Sequence, residues 1–570
     1  MTKSAARTPG LALFFGALLG CGSGGQVPGD AVLSLHDGPY SNGDGMPQAR
    51  RSTSRTTMAN PAGKAAKMRP EDVAPLRPRS YLRLEWVAIS SKRDAPDLQA
   101  LTARRACPLH DGRHVLALEG GDSVASARGF FVLDEHGTTV FDGTSLLESF
   151  ALVHGMHPDP SLKRGVKLSA CGVGRFVVSG AEETHYAFLL GANNASLVVL
   201  DVSAPYAPAV VQVLTAPSRP EKIAVFDEDA RVMASGADEG ELEGDVYYFK
   251  VVEAPGSTGY DDSFYVPVSK RVPFGGISGM AWDPTSQRIV ATPDCFFERQ
   301  RIWWFYPEPA SRRMLLEREL SLADTSGEPL AGYDPEGIAL LPGGGFVIVS
   351  EGGSRNGGSR DCKGSSESNR LLFFARDGKL DGEYGDGGIV DLPCGNDDNA
   401  IDWSKLTSFG FEGVAVRGGD GPGLKVYALF QRPLSGEGRL ARIGEYDTAV
   451  GAWRFYYYPL DRDPGGAAGR TLLSELVHLG GDRFAVIERD QGRGRAAVNK
   501  SVRVFSLASG TADDRSDPVD KVMGHDLLQR AFPFDQEKIE GLALDGESLW
   551  VSNDNDEGRA ANLFMKLAPP

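Results

Sequence analysis

The chain reads as an all-β protein, a single β-propeller of about seven blades with six to eight admissible, behind a signal segment and a disordered linker. Three observations carry that expectation. The composition joins 70 Gly and 35 Pro to 41% hydrophobic residues, with no long helical periodicity, which favours short strands and tight turns. A hairpin pattern recurs: Lys538 to Asp556 holds two short apolar runs around Asp545-Gly546, and Pro335 to Glu351, Phe411 to Arg432 and Ser474 to Arg489 share its layout. The residues that lead successive hairpins, Glu221, Ser278, Glu336, Glu412, Glu475 and Glu540, are separated by 57, 58, 76, 63 and 65 residues, enough for a four-stranded blade with its loops.

The first twenty residues are a targeting segment: Lys3 and Arg7, an apolar run from Leu11 to Leu19 too short to span a membrane, then Gly20-Cys21. Leu18-Leu19-Gly20-Cys21 resembles the lipobox of bacterial lipoproteins, which implies that Cys21 is lipid-modified and becomes the first mature residue. An ordinary cleaved signal peptide with a chance cysteine is the alternative. Gly22 rather than Asp follows, so the expected localisation is export and lipid anchoring in the bacterial cell envelope, with the outer membrane open as destination.

Residues 21–80 are rich in Gly, Pro, Ser, Thr and Arg and read as a flexible tether. Its basic cluster (Arg50, Arg51, Arg55, Lys64, Lys67, Arg69) is either a solvated linker or a contact for anionic lipid headgroups. The propeller then occupies 81–570. Little chain follows Glu540, so the strand near Tyr81 to Ser90 is expected to complete the last blade and remove its free edges.

The net charge of −16, which becomes −18 once Lys3 and Arg7 leave with the signal, argues against nucleic acid as a partner. A monomer is expected. Five cysteines remain beyond Cys21 (Cys107, Cys171, Cys295, Cys362, Cys394), an odd number, and Cys362 with Cys394 flank one Gly- and Asp-rich insertion.

If the hairpins are equivalent, their lead residues converge on one mouth of the central channel. Glu336, Glu412, Glu475 and Glu540 then meet Glu351, Glu488 and Asp554 from the closing positions. Such a ring of carboxylates needs a cation, an arginine or raised pKa values to coexist. Calcium suits an all-oxygen set, and Arg355, Arg432 and Arg489 lie at or just beyond the closing positions. The competing reading is structural, each glutamate binding backbone amides of a neighbouring blade.

Other chemistries leave few traces. Asn553 to Gly558 (NDNDEG) looks like the start of an EF-hand loop, but Phe564 stands where its bidentate Glu is needed. No CxxC, HExxH, G-x-S-x-G or phosphate-binding Gly-rich loop occurs. The aromatic run Phe296 to Tyr306 is either a ligand platform or an inter-blade core strand.

Several stretches together resemble the bacterial family called esterase-like activity of phytase, or phytase-like. They are Glu336 to Glu351, Asn369-Arg370 with Asp377-Gly378, Gly410 to Ala415, Glu488-Arg489, and Lys538 to Asp556. The resemblance implies a propeller that hydrolyses phosphoric esters, by analogy with propeller phytases that hold phosphate on calcium. It places catalysis on Glu351, Glu488, Arg489 and Asp554, substrate binding on Arg355 and Arg432, and metal on Glu336, Glu412, Glu540, Asp554 and Asp556. Gln431 at a closing position and Ser278 at a lead position depart from the pattern. A noncatalytic envelope propeller that binds a protein, glycan or small ligand at the same mouth is the rival expectation.

Overall fold

The computed structural model describes residues 82–118, 129–149, 168–177, 183–191, 195–238, 243–253, 264–269, 274–294, 300–309, 312–330, 332–351, 369–393, 401, 410–419, 423–530, 533–555 and 560–570. The expected signal segment with Cys21, the expected linker, Arg355, Asp556 and Cys295, Cys362 and Cys394 lie outside them.

Second strands such as Phe346–Ser350 and Leu549–Asn553 are short and buried along their whole length, their β-branched and aromatic side chains packing into both faces. Gly344 and Gly546, at φ 91° and 90°, turn the chain into them. Among the described residues such strands build eight four-stranded units, two of them joined edge to edge in one eight-stranded sheet. A single short α-helix, Thr144–Ser149, accompanies them among the described residues.

Five units form a closed ring. Their first strands, Ile277–Asp283, Pro335–Leu340, Phe411–Arg417, Leu472–Gly480 and Ile539–Leu544, each touch the next, and the fifth returns to the first. We number these ring blades one to five. The other three units, all built from residues before 254, continue the hydrophobic core of blades four and five, so both groups share one apolar interior. The all-β propeller architecture expected from the sequence is thus present. Its ring closes with five blades rather than about seven, because the three preceding units stand beside the ring and not within it.

The expected closure is corrected. Leu82–Ser91 does not complete the last blade; it pairs antiparallel with Asp245–Glu253 and finishes the third unit of the first group. The last blade takes its fourth strand from Phe264–Val268, antiparallel to Phe564–Leu567 (Phe264 opposite Met565) and parallel to Arg313–Ser321 of blade one. Each group therefore closes with the strand that begins it. A disulfide joins Cys107 to Cys171 across the first two units. The described part of the aromatic run is mostly core: Ile302, Trp303 and Phe305 are buried in Arg301–Glu308, while Tyr306 is exposed.

Candidate functional site at the ring mouth

A bulge interrupts the pairing of every first strand in the ring, at Ser278, Glu336, Glu412, Ser474-Glu475 and Glu540. The extra residue is unpaired and re-aimed, which explains why the lead side chains leave the strand alternation. After the lead residue comes Gly279, Gly337, Gly413 or Gly541. A Cβ on Gly279 would stand 2.6 Å from the Gly337 Cα, and one on Gly337 2.8 Å from the Gly413 Cα. The Glu-Gly repeat thus serves a close backbone approach around the axis.

Blade four breaks this rule. Leu473 and Leu476 correspond in pairing to Phe411 and Val414, so Ser474 occupies the lead position and Glu475 the glycine position. Glu475 therefore does not join the carboxylate ring. Its side chain fills the axis: Oε1 accepts N–H bonds from Val414 (2.9 Å) and Leu476 (3.0 Å), Oε2 from Met280 (3.0 Å) and Ile338 (3.4 Å). Burial pushes this carboxyl well above the usual range, opposed by those four backbone amides. For this glutamate the structural reading holds.

Around this axle the other lead residues form a connected belt. Ser278 Oγ donates to Glu336 and lies 3.5 Å from Glu540 Oε2. Arg489 Nη2 donates to Glu540 Oε1 at 2.5 Å and its Nε to Ser474 Oγ at 3.1 Å. Gln431 Nε2 donates to Glu412. Both departures from the family pattern thus supply hydrogen-bond partners for glutamates.

The carboxylate ligand atoms of Asp334, Glu336 and Glu351 all lie within 4.8 Å of one another. Glu351 Oε1 accepts from the Gly410 N–H at 2.6 Å, and Asn369, buried beside them, accepts from Phe411 N–H at 2.7 Å. Burial, then the Asp334 charge, pushes the Glu351 carboxyl up to about 8, with the Gly410 N–H and Lys538 opposing. Glu336 is raised by burial and then by Glu412, Asp334, Glu351 and Glu540; Glu412 by burial and then by Glu351 and Glu540, against Arg489 and Lys538. Five carboxylates thus share one electrostatic environment. Lys538 Nζ holds Asp554 Oδ2 at 2.9 Å at its edge.

The structure brings together Glu336, Glu351, Glu412, Glu540, Arg489 and, through Lys538, Asp554. It does not bring in Glu488. Neighbouring residues on a strand face opposite ways, so with Arg489 at the mouth Glu488 points away. Its carboxylate meets Lys521 Nζ (2.5 Å) and the Tyr458 hydroxyl (3.0 Å). Arg432 is likewise directed elsewhere, to Asp463 (3.1 Å) and the Thr471 carbonyl (2.9 Å). Asn553 and Asn555 are structural: Asn553 ties down Leu563 N–H (2.8 Å), and Asn555 caps Gly276 N–H of blade one (2.7 Å). Sequence reasoning missed Asp334 and Lys538. Each stands two residues before a lead glutamate and could have been found there.

An all-carboxylate set with no nitrogen or sulfur ligand fits a hard divalent cation such as calcium. Fold and site together define a β-propeller with an acidic, one-sided mouth. The chain belongs to the phytase-like family, described as esterase-like activity of phytase, which it matches over residues 272–557, almost the whole ring. None of the curated proteins compared with the chain matches it. Similar solved structures include a putative oxidoreductase (glucose dehydrogenase) from Thermus thermophilus, with 10% identity, 70% of this chain and 100% of that one covered, and a TM-score of 0.26. A putative glycoside hydrolase from Parabacteroides distasonis shares 9% identity over 51% of this chain and 87% of its own, with a TM-score of 0.29. A luciferin-regenerating enzyme shares 11% over 66% and 89%, at 0.25. Likenesses this distant say nothing of activity.

Proposed function

We propose that the protein is an exported, lipid-anchored hydrolase of phosphoric esters that works with a divalent cation, calcium by preference, at the ring mouth. The observation that carries this reading is the convergence of Asp334, Glu336 and Glu351 within 4.8 Å. These three would hold the cation, with Glu412 and Glu540 adding negative charge beside it. A bound divalent cation supplies polarisation of a phosphoryl oxygen and a more acidic water.

The chain's own groups do the rest. Glu351, raised to about 8, holds a proton near neutrality that it can surrender when positive charge arrives. Arg489 fixes Glu540 in place. Lys538, its side chain 34% exposed, offers an ammonium to an ester oxygen, and Arg355 is a second candidate for that role. Glu475 blocks the axis, so substrate enters and product leaves by one mouth. Cys21 would carry the lipid; Cys21→Ala should move the protein from the membrane to the soluble fraction.

The test is hydrolysis of phytate and of p-nitrophenyl phosphate by the purified protein, with calcium and with chelator. Turnover that needs the cation supports the proposal. No turnover with any divalent cation, together with a melting temperature indifferent to calcium, overturns it and leaves the noncatalytic binding propeller.

A further inference from the structure

A second cleft lies where the loop after blade three meets the outer strands of blade four. It encloses about 300 Å3, the lower end of the range for small-molecule sites, and is lined by Asp461, Arg462 and Pro464 from the loop and by Val498, Arg503, Met523 and Asp526 among others from blade four.

Its floor is a built network. Asp461 accepts from Arg503 Nη2 at 2.7 Å and from Lys521 Nζ at 3.0 Å, and the same ammonium reaches buried Glu488 at 2.5 Å. Both oxygens of Asp461 are thereby occupied by cations. Lys500 is turned inward onto Asp490 at 2.9 Å, both side chains fully buried. Asp526 Oδ1 is taken by the Leu528 and Gln529 amides. One donor remains open to solvent: exposed Arg462 has no ion-pair partner among the described residues, whereas Arg503 Nε, also unpartnered, is enclosed by protein atoms. An exposed guanidinium beside a cleft favours an entering anion, which it can meet with two parallel N–H groups.

The rim is apolar. Val498 is 60% and Met523 49% exposed, so two of the eight large apolar side chains exposed among the described residues meet at one cleft. Cationic donors beneath an apolar rim, in a chain of net charge −16, select neither a bare ion nor a neutral apolar molecule.

We propose that this cleft is a second ligand site, for a small amphipathic organic anion. Its phosphate or carboxylate head meets Arg462, and its apolar body lies on Val498, Pro464 and Met523. The site is independent of the mouth and of any cation there.

Isothermal titration of the full chain in chelator, with phenyl phosphate, phenylacetate and inorganic phosphate as probes, tests it. Phenyl phosphate or phenylacetate should bind more tightly than inorganic phosphate, and the better of the two identifies the head group. Arg462→Gln and Met523→Asn, both at the surface, should each weaken that binding about tenfold, as expected for losing one charged hydrogen bond or one apolar contact. Glu351→Gln, at the mouth, should leave it unchanged. No binding of either aromatic probe up to about 10 mM, the scale of the weakest specific sites, overturns the proposal. So does binding insensitive to both cleft variants, binding lost with Glu351→Gln, or inorganic phosphate matching the aromatic probes.

Discussion

Glu475→Gln keeps the shape of the axle and exchanges one carboxylate oxygen for an NH2 group. Each oxygen serves two backbone donors, Val414 and Leu476 on one side, Met280 and Ile338 on the other. Whichever way the amide turns, two N–H groups lose their acceptor and face a donor. A stranded buried donor costs about 1–3 kcal/mol, so the pair should cost about 2–6 kcal/mol, a large part of the roughly 5–15 kcal/mol that holds a typical protein folded. Burial alone drives this carboxyl toward its neutral form, but a neutral carboxyl has to aim an O–H at an N–H, and every hydrogen-bond neighbour named above is an N–H. Urea unfolding followed by tryptophan fluorescence measures the difference at pH 7. A midpoint and slope equal to the parent's would refute the anionic axle, because it would mean that a neutral side chain serves the four amides equally well.

Gly413→Ala should destabilise by several kcal/mol, since its Cβ would stand 2.6 Å from Leu476 N and 2.8 Å from Glu475 Cα, backbone atoms that cannot step aside; Gly419→Ala, with open space around it, should melt like the parent. Calcium should raise the melting temperature of the parent, and Glu351→Gln or Asp334→Asn should each remove most of that rise, as scanning calorimetry will show. The Glu351 carboxyl is held at about 8 against an ordinary 4.5, so the folded, cation-free protein keeps a proton that the unfolded chain releases. Its stabilising contribution is complete below about pH 4.5 and is lost as pH rises through about 8. Calcium competes with that proton, so its affinity should climb with pH up to about 8 and then level off. Glu488→Gln should lower stability by loosening Lys521 and Tyr458 while leaving the calcium-induced shift intact; loss of that shift would return Glu488 to the mouth.

Much of the ring was legible because its physics is local and repeated. Glu336-Gly337, Glu412-Gly413 and Glu540-Gly541 announce both the bulge and the close approach at the axis, and the hairpins after them carry their own turn residues. Ser474-Glu475 misled by one position, since a glutamate in the glycine place looks like a lead residue in any alignment by residue type. Glu488 and Arg489 look like a pair in the sequence, although strand alternation sends adjacent side chains apart. The closing strands were illegible for a different reason. Leu82–Ser91 and Phe264–Val268 are both plain outer strands, and which sheet each completes depends on partners distant in sequence.

That each group finishes with the strand that begins it bears on how the chain comes to be folded. Leu82–Ser91 must wait for Asp245–Glu253, and Phe264–Val268 for Phe564–Leu567 at the far end of the chain. Closing such long loops is entropically slow, so each group should snap shut late in its own folding. Chain that emerges amino-end first as it is synthesised can seal the leading group while the ring is still incomplete. The ring's edges, at Phe264–Val268 and beside Phe564–Leu567, stay open to stray pairing until the last residues arrive. A truncation of the final strand should therefore leave the leading group intact and a ring prone to aggregate, the kinetic signature of a lock whose two halves lie at opposite ends of one segment.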